Sequence, residues 1–339
     1  MRDNSMQAHF IRRERGWLRQ CVTALVICMA TGASLPLSAQ TYPTKPIRVI
    51  VPYAAGGAGD IVGRVIGQKL TDAWGQQMIV DLRPGAAGMI GAAAVAKSAA
   101  DGYTVLLGAQ AETTVNQSLY SKINYDPQKD LVPVAMAGLL PLVLVVSPSL
   151  PAKSVREFIA LARAKPGEVT YGTAGHGTTA HLAMEYLQRV GRVSLTHVTY
   201  KGGSEVVTAV MGGHVVSFFS GIPPALAHIG SGRLRALAVS TLRRVDVLPD
   251  VPPVAEAGIP EFDIANWFGY FVPTGTPHAV IAKLNAGVQS AIKDPGVREQ
   301  LARQGIVLAE TTQEGFANFV VLEQKKYAKI IRESGIRAD

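Results

Sequence analysis

The sequence predicts an α/β fold arranged as two lobes facing a cleft. Three observations lead there. Short apolar runs of strand length alternate with glycine-rich loops and amphipathic helical stretches, the mark of βα units built on mainly parallel sheets. This series starts afresh after Pro141. The chain of 339 residues is 48% apolar and 17% charged, which is a core-building composition of about two domains' length.

In the first series, Ile47–Tyr53 reads as a strand, Ala54–Gly59 as a loop, and Asp60–Ala73 as an amphipathic helix with an acid in its first turn. Met78–Leu82 is a second strand. Arg83-Pro84-Gly85-Ala86-Ala87-Gly88 is a loop, Ile90–Lys97 a helix and Tyr103–Leu107 a third strand. The second series opens with a strand over Leu142–Val146. Ser154 with Glu157 forms a capping box for a helix to Ala164. Strands over Val169–Gly172 and Leu195–Tyr200 are each followed by a loop and a helix, Ala180–Val190 and Ser204–Met211. Val215–Ser220, Arg235–Val239 and Ile264–Val272 are further strands, with a proline-rich stretch at Pro249, Pro252 and Pro253. Helices are expected over Pro277–Ile292, Val297–Gln304 and Thr312–Ser334. The expected division is one lobe from 40–140 with 268–339 and a second from 141–267.

The N-terminus reads as an export signal. Arg2, Arg12, Arg13, Arg15 and Arg19 precede an apolar run from Cys21 to Ala33, and small residues lead to an expected cleavage near Ala39. That run of about 13 residues is shorter than the about 20 a spanning helix needs. Arg12-Arg13 leaves the general secretory and twin-arginine routes both open. Periplasmic location follows as an expectation. Cys21 and Cys28 both lie in the signal, so the exported chain has no thiol for a disulfide, a nucleophile or a metal site. The signal holds five of the 33 basic residues and two of the 25 acidic ones; the remainder carries 28 against 23, a net +5. The excess is scattered without interleaved aromatics, which argues against nucleic acid and favours small anionic ligands.

Two loops carry the candidate chemistry. In Tyr53-Ala54-Ala55-Gly56-Gly57-Ala58-Gly59-Asp60, glycines turn the backbone tightly ahead of a helix whose first N–H groups have no intrahelical acceptor. That is either an anion cradle or an ordinary strand-to-helix turn. A dinucleotide site misses the G-x-G-x-x-G spacing by one residue, and no Lys-Ser/Thr follows for a P-loop. Thr173-Ala174-Gly175-His176-Gly177-Thr178-Thr179-Ala180-His181 is its counterpart in the second series. His176, His181 and Glu185 raise a metal possibility, but spacing supplies no further ligand; capping or core histidines and no metal are expected. No G-x-S-x-G elbow occurs, and no cofactor motif is found. Tyr200 and Lys201, in Tyr200-Lys201-Gly202-Gly203, either meet an anionic ligand or sit at the surface.

Motifs in order along the chain resemble the Bug family, the extracytoplasmic solute receptors of tripartite tricarboxylate transporters. They are Tyr42-Pro43-Thr44-Lys45-Pro46-Ile47, Gly56-Gly57 with Asp60, Arg83-Pro84-Gly85-Ala86, Asp101-Gly102-Tyr103-Thr104 and Tyr125-Asp126-Pro127. The loop Ala174–His181, Tyr200-Lys201-Gly202, Glu256-Ala257-Gly258, Trp267-Phe268-Gly269 and Thr276-Pro277 follow. The resemblance implies a two-lobed, type II periplasmic-binding fold closing on a small carboxylate. It implies that Tyr53, Gly57, Ala58, Gly59 and Asp60 face Thr173, Ala174, Gly175, His176, Gly177, Thr178 and His181 across the ligand, with Tyr200, Lys201 and Ser220 beside it. Leu82, His176, Ala209 and Ser220 depart from the family's usual residues; Ser220 stands where an acid is frequent, which favours a plain carboxylate over an amino acid. The expected protein is a monomeric binding protein, not an enzyme. Its expected partners are transporter membrane subunits or, alternatively, a membrane sensor. An exported α/β enzyme is the other reading, and it lacks a nucleophile–base pair.

Overall fold

A computed structural model describes residues 42–338. The expected export signal, Ala39 and both cysteines lie outside the described residues.

Among the described residues, nine strands form one continuous sheet. They are β1 (Ile47–Val51), β2 (Met78–Leu82), β3 (Thr104–Ala109), β4 (Leu131–Val146), β5 (Thr170–Thr173), β6 (Thr196–Thr199), β7 (Ser217–Gly221), β8 (Arg235–Val239) and β9 (Ala265–Pro273). Their order is β2-β1-β3-β9-β4-β7-β5-β6, with β8 also on β4. The helices are α1 (Ala58–Trp74), α2 (Met89–Ala96), α3 (Asn116–Leu119), α4 (Val155–Ala164), α5 (Thr179–Gly191), α6 (Gly203–Met211), α7 (Ile222–Gly230), α8 (His278–Lys293), α9 (Pro295–Ala302) and α10 (Gln313–Ser334).

The fold is the expected two-lobed α/β arrangement. The βα units give parallel pairs, β1 with β2 and β3, and β5 with β6 and β7. Every pairing made by β4 and β9 is antiparallel, so the expectation of mainly parallel sheets holds for the repeated units alone. β4 changes partners along its length. Its first part, Leu131–Pro141, pairs with β9; from Leu142 onward it pairs with β7, and from Val143 with β8.

Parallel strands in this setting are covered on both faces, which explains the unbroken apolar run of β1. Ile47, Val49 and Val51 pack with Val62, Ile66 and Leu70 of α1, while Ile50 faces Trp267, Phe271 and Phe316. α1 stops where Gly75 adopts φ 66° and returns its N–H to Thr71 O. Half of the expected capping box forms at the start of α4: Ser154 Oγ accepts from Glu157 N, while Glu157 Oε2 reaches past the cap to accept from Lys153 N instead of Ser154 N. α10 contributes to two core clusters. Phe316 and Val320 pack with Trp267, and Tyr327, Ile330 and Ile331 pack with Phe158, Tyr171 and Phe262. Among the described residues no helix is long and apolar enough to cross a membrane.

Candidate functional site

β1 delivers Tyr53 and the first loop to one end of the sheet. Gly56 takes φ 76°, a left-handed turn that favours glycine. Asp60 is buried and holds this turn closed: Oδ2 accepts from Gly56 N at 2.9 Å and Oδ1 from Arg64 Nε at 2.7 Å. Asp60 is therefore a brace for the loop backbone. Gly57 caps α1 without a side chain, and the first helical bond runs from Ile61 N to Gly57 O. The N–H groups of Ala58, Gly59 and Asp60 precede that bond and have no intrahelical acceptor. Gly59 admits the close approach of the Tyr53 and Phe268 rings, 3.1 and 3.2 Å from where a Cβ would stand.

The structure adds a segment that no motif marked, the turn leaving β3. Glu112, in a π-helical turn over Ala111–Val115, is buried; its Oε1 accepts from Ala109 N and its Oε2 from Tyr53 Oη, both at 2.6 Å. Burial pushes the Glu112 carboxyl up to about 7, against the pull of those two hydrogen bonds toward ionisation. The Arg83–Gly88 loop closes over it: Ala86 and Ala87 both hold positive φ, and a Cβ on Gly88 would lie 2.7 Å from Glu112 Oε2. Two residues before Glu112, Gln110 is also buried. Its Oε1 accepts from Thr179 Oγ1 at 2.7 Å, while its Nε2 has no hydrogen-bond partner among the described residues.

The second loop is held by its own hydroxyls. Thr173 Oγ1 lies 3.2 Å from both Gly175 O and Gly175 N, and Thr178 Oγ1 donates to Gly175 O at 2.9 Å. Thr178 caps α5 by accepting from His181 N, which leaves the Thr179 and Ala180 N–H groups without intrahelical acceptors. Ala174 and His176 are exposed. Gly177, at φ 73°, lies where a Cβ would be 2.1 Å from Leu119 Cδ2.

His181 is buried and its Nδ1 accepts from Gly177 N at 3.1 Å. Spacing offered no third ligand beside His176 and His181, but β5–β6 pairing supplies a third imidazole, setting His197 opposite Tyr171. The His181 and His197 rings stack at 4.4 Å, and His176 stands edge-on to both, at 5.1 and 5.0 Å. Burial first, then His197 and His176, hold His181 down to about 3; burial and His176 hold His197 down to about 4. Both are neutral at pH 7.

The remaining expected residues lie at the margin of these loops. Tyr200 N donates to Thr173 O, and its ring packs over Gly172. Lys201 is exposed, with its backbone N donating to Glu205 Oε2. Ser220 is buried and its hydroxyl donates to Gly221 O at 2.8 Å.

The first loop thus reaches Glu112 through Tyr53, and the second reaches Gln110 through Thr179. Residues 62–336 match the family described as tripartite tricarboxylate transporter family receptor. The chain belongs to this receptor family. It is 39% identical to protein BugT of Bordetella pertussis over 322 residues, covering 94% of this chain and 99% of the relative. Among solved structures it is similar to R. palustris Rpa4515 with adipate (TM-score 0.76, 32% identity, 87% of this chain and 99% of that one). It is also similar to MatC from Rhodopseudomonas palustris with bound malate (TM-score 0.72, 30% identity, 86% and 100%).

Proposed function

We propose that the protein is a periplasmic receptor that closes on a small carboxylate and presents it to the membrane subunits of a tripartite transporter. The lobes are taken as 40–140 with 268–339 and 141–267, in line with the change of β4 partners at Leu142, and the working unit is a monomer. The observation that carries the reading is Gln110: a buried amide between the two loops with its Nε2 uncommitted. A buried donor without an acceptor is costly, and an anionic ligand oxygen is a natural partner for it.

The donors proposed for the ligand are Gln110 Nε2 and the free first-turn N–H groups of α1 and α5. These N–H groups sit at the positive ends of their helix dipoles. The relatives with bound adipate and malate support a carboxylate as the class. Ligand preference for the closed state shifts an existing open–closed equilibrium. The role is capture and release, without turnover.

Calorimetric titration with adipate and malate tests this. Saturable binding is expected for at least one of them, weakened by Asp60→Ala and by a bulky side chain at Gly57 or Gly175. Unchanged affinity in all three variants would contradict the cradle.

A further inference from the structure

We propose that His176, His181 and His197 form a binding site for a divalent transition metal of the zinc class. This site uses side chains other than the proposed carboxylate donors and does not depend on which acid is bound.

The three imidazoles come from three elements: the second loop, the first turn of α5 and strand β6. One nitrogen from each lies within 4.8 Å of the other two. Tetrahedral zinc with Zn–N bonds of about 2.0–2.1 Å needs ligand nitrogens roughly 3.3 Å apart, so the rings must close by on the order of 1.5 Å. The exposed His176 can supply its part of that movement, while the stacked His181 and His197 rings, 4.4 Å apart, must tilt toward each other. His176 is flanked by Gly175 and Gly177, both at positive φ, and by open space around Gly175.

The hydrogen bonds around the two inner rings hold them in place and, for His181, sort its nitrogens. Thr173 Oγ1 lies 2.6 Å from His197 Nε2 and holds that ring in place. Metal binding through His197 Nδ1 uses the tautomer with its proton on Nε2, which Thr173 Oγ1 is placed to accept. Gly177 N–H donates to His181 Nδ1, so the His181 proton sits on Nε2, 3.8 Å from Glu185 Oε1. Glu185 is itself fixed by Tyr171 Oη at 2.6 Å and Gln188 Nε2 at 2.7 Å. Metal-bound histidines usually give their other N–H to such a carboxylate or hydroxyl, which orients the ring and raises its basicity. Binding exchanges the Gly177 N–H on His181 for the metal. An all-imidazole set selects zinc, copper or nickel over magnesium and calcium. Three protein ligands leave a fourth position for water or a carboxylate oxygen.

The test is calorimetric titration of the metal-free exported chain, carrying no histidine tag, with ZnCl₂ and separately MgCl₂. Saturable 1:1 zinc binding is expected, with none for magnesium. His176→Ala, at an exposed position, and His197→Gln should each weaken zinc by more than about tenfold, the lower end of what loss of an outer-shell partner costs. Their metal-free melting curves should match the parent within a few degrees. As a second readout, Co²⁺ added to the parent should give the intense visible band of tetrahedral cobalt, lost in His176→Ala. Absence of saturable zinc binding, or binding that both variants retain, would overturn the proposal whatever the carboxylate titrations show.

Discussion

Thr179 Oγ1 donates to Gln110 Oε1 at 2.7 Å, joining residues 69 apart in sequence and fixing the start of α5 against the end of β3. This bond orients the Gln110 amide so that its oxygen is spent on the protein and its nitrogen is not. In open α/β sheets, ligands collect beyond the carboxyl ends of strands, and Gln110 is the residue that follows β3.

Gln110→Glu keeps the shape and replaces the free N–H donor with an acceptor. Carboxylate affinity should fall by at least about tenfold, since a hydrogen bond to a charged group is worth about 1.5–3 kcal/mol and the new charge repels the ligand. Gln110→Ala should lose less. Calorimetry against adipate and malate, with melting curves for folding, checks both; equal affinities for parent and Gln110→Glu would remove Gln110 from the site.

Glu112 makes stability fall with pH in a defined window. Its carboxyl is raised from an ordinary value of 4.5 to about 7, so between those values the folded state holds a proton that the unfolded state has released. The contribution is therefore fully present below the lower value and is lost as pH rises through the upper one. Glu112→Gln has no such group. Urea denaturation at about pH 5 and about pH 7.5 should show the parent losing stability relative to Glu112→Gln, and a constant difference between the two proteins would refute the assignment.

The two glycines of the second loop should respond differently to alanine. At Gly177 the added Cβ meets Leu119 Cδ2 and the backbone is left-handed, so packing and backbone costs add to roughly 2–5 kcal/mol. At Gly175 nothing lies within 4 Å, so only its φ of 123° is strained, a cost of about 1–3 kcal/mol. Thermal denaturation of both variants should rank Gly177→Ala as the less stable.

Much of this architecture is legible in the sequence. Met78–Leu82 and Arg235–Val239 match their strands end to end, because apolar runs between clear breakers leave little choice of boundary. β4 is read from Leu142 alone, since Pro133 and Pro141 look like strand breakers. In the fold the ladder shifts register just after Pro133, and Pro141 is the last residue paired with β9 before the partners change. α7 is missed for a related reason: Pro223 and Pro224 stop a strand, but at a helix start their missing N–H groups cost nothing. Glycine loops announce the backbone of the candidate site. Gln110 and Glu112 carry no motif, and their burial comes from the Arg83–Gly88 loop and from α10, whose Gln324 Nε2 donates to Thr113 O. His197 joins His176 and His181 only through strand pairing, which no spacing rule reports.

Amide hydrogen exchange of the chain, alone and saturated with adipate or malate, reads the backbone N–H groups of both loops at once. Protection is expected to rise together over Ala58–Asp60 and Thr179–Ala180. Slowing confined to one of these loops, or to neither while the acid is bound, would contradict the cradle.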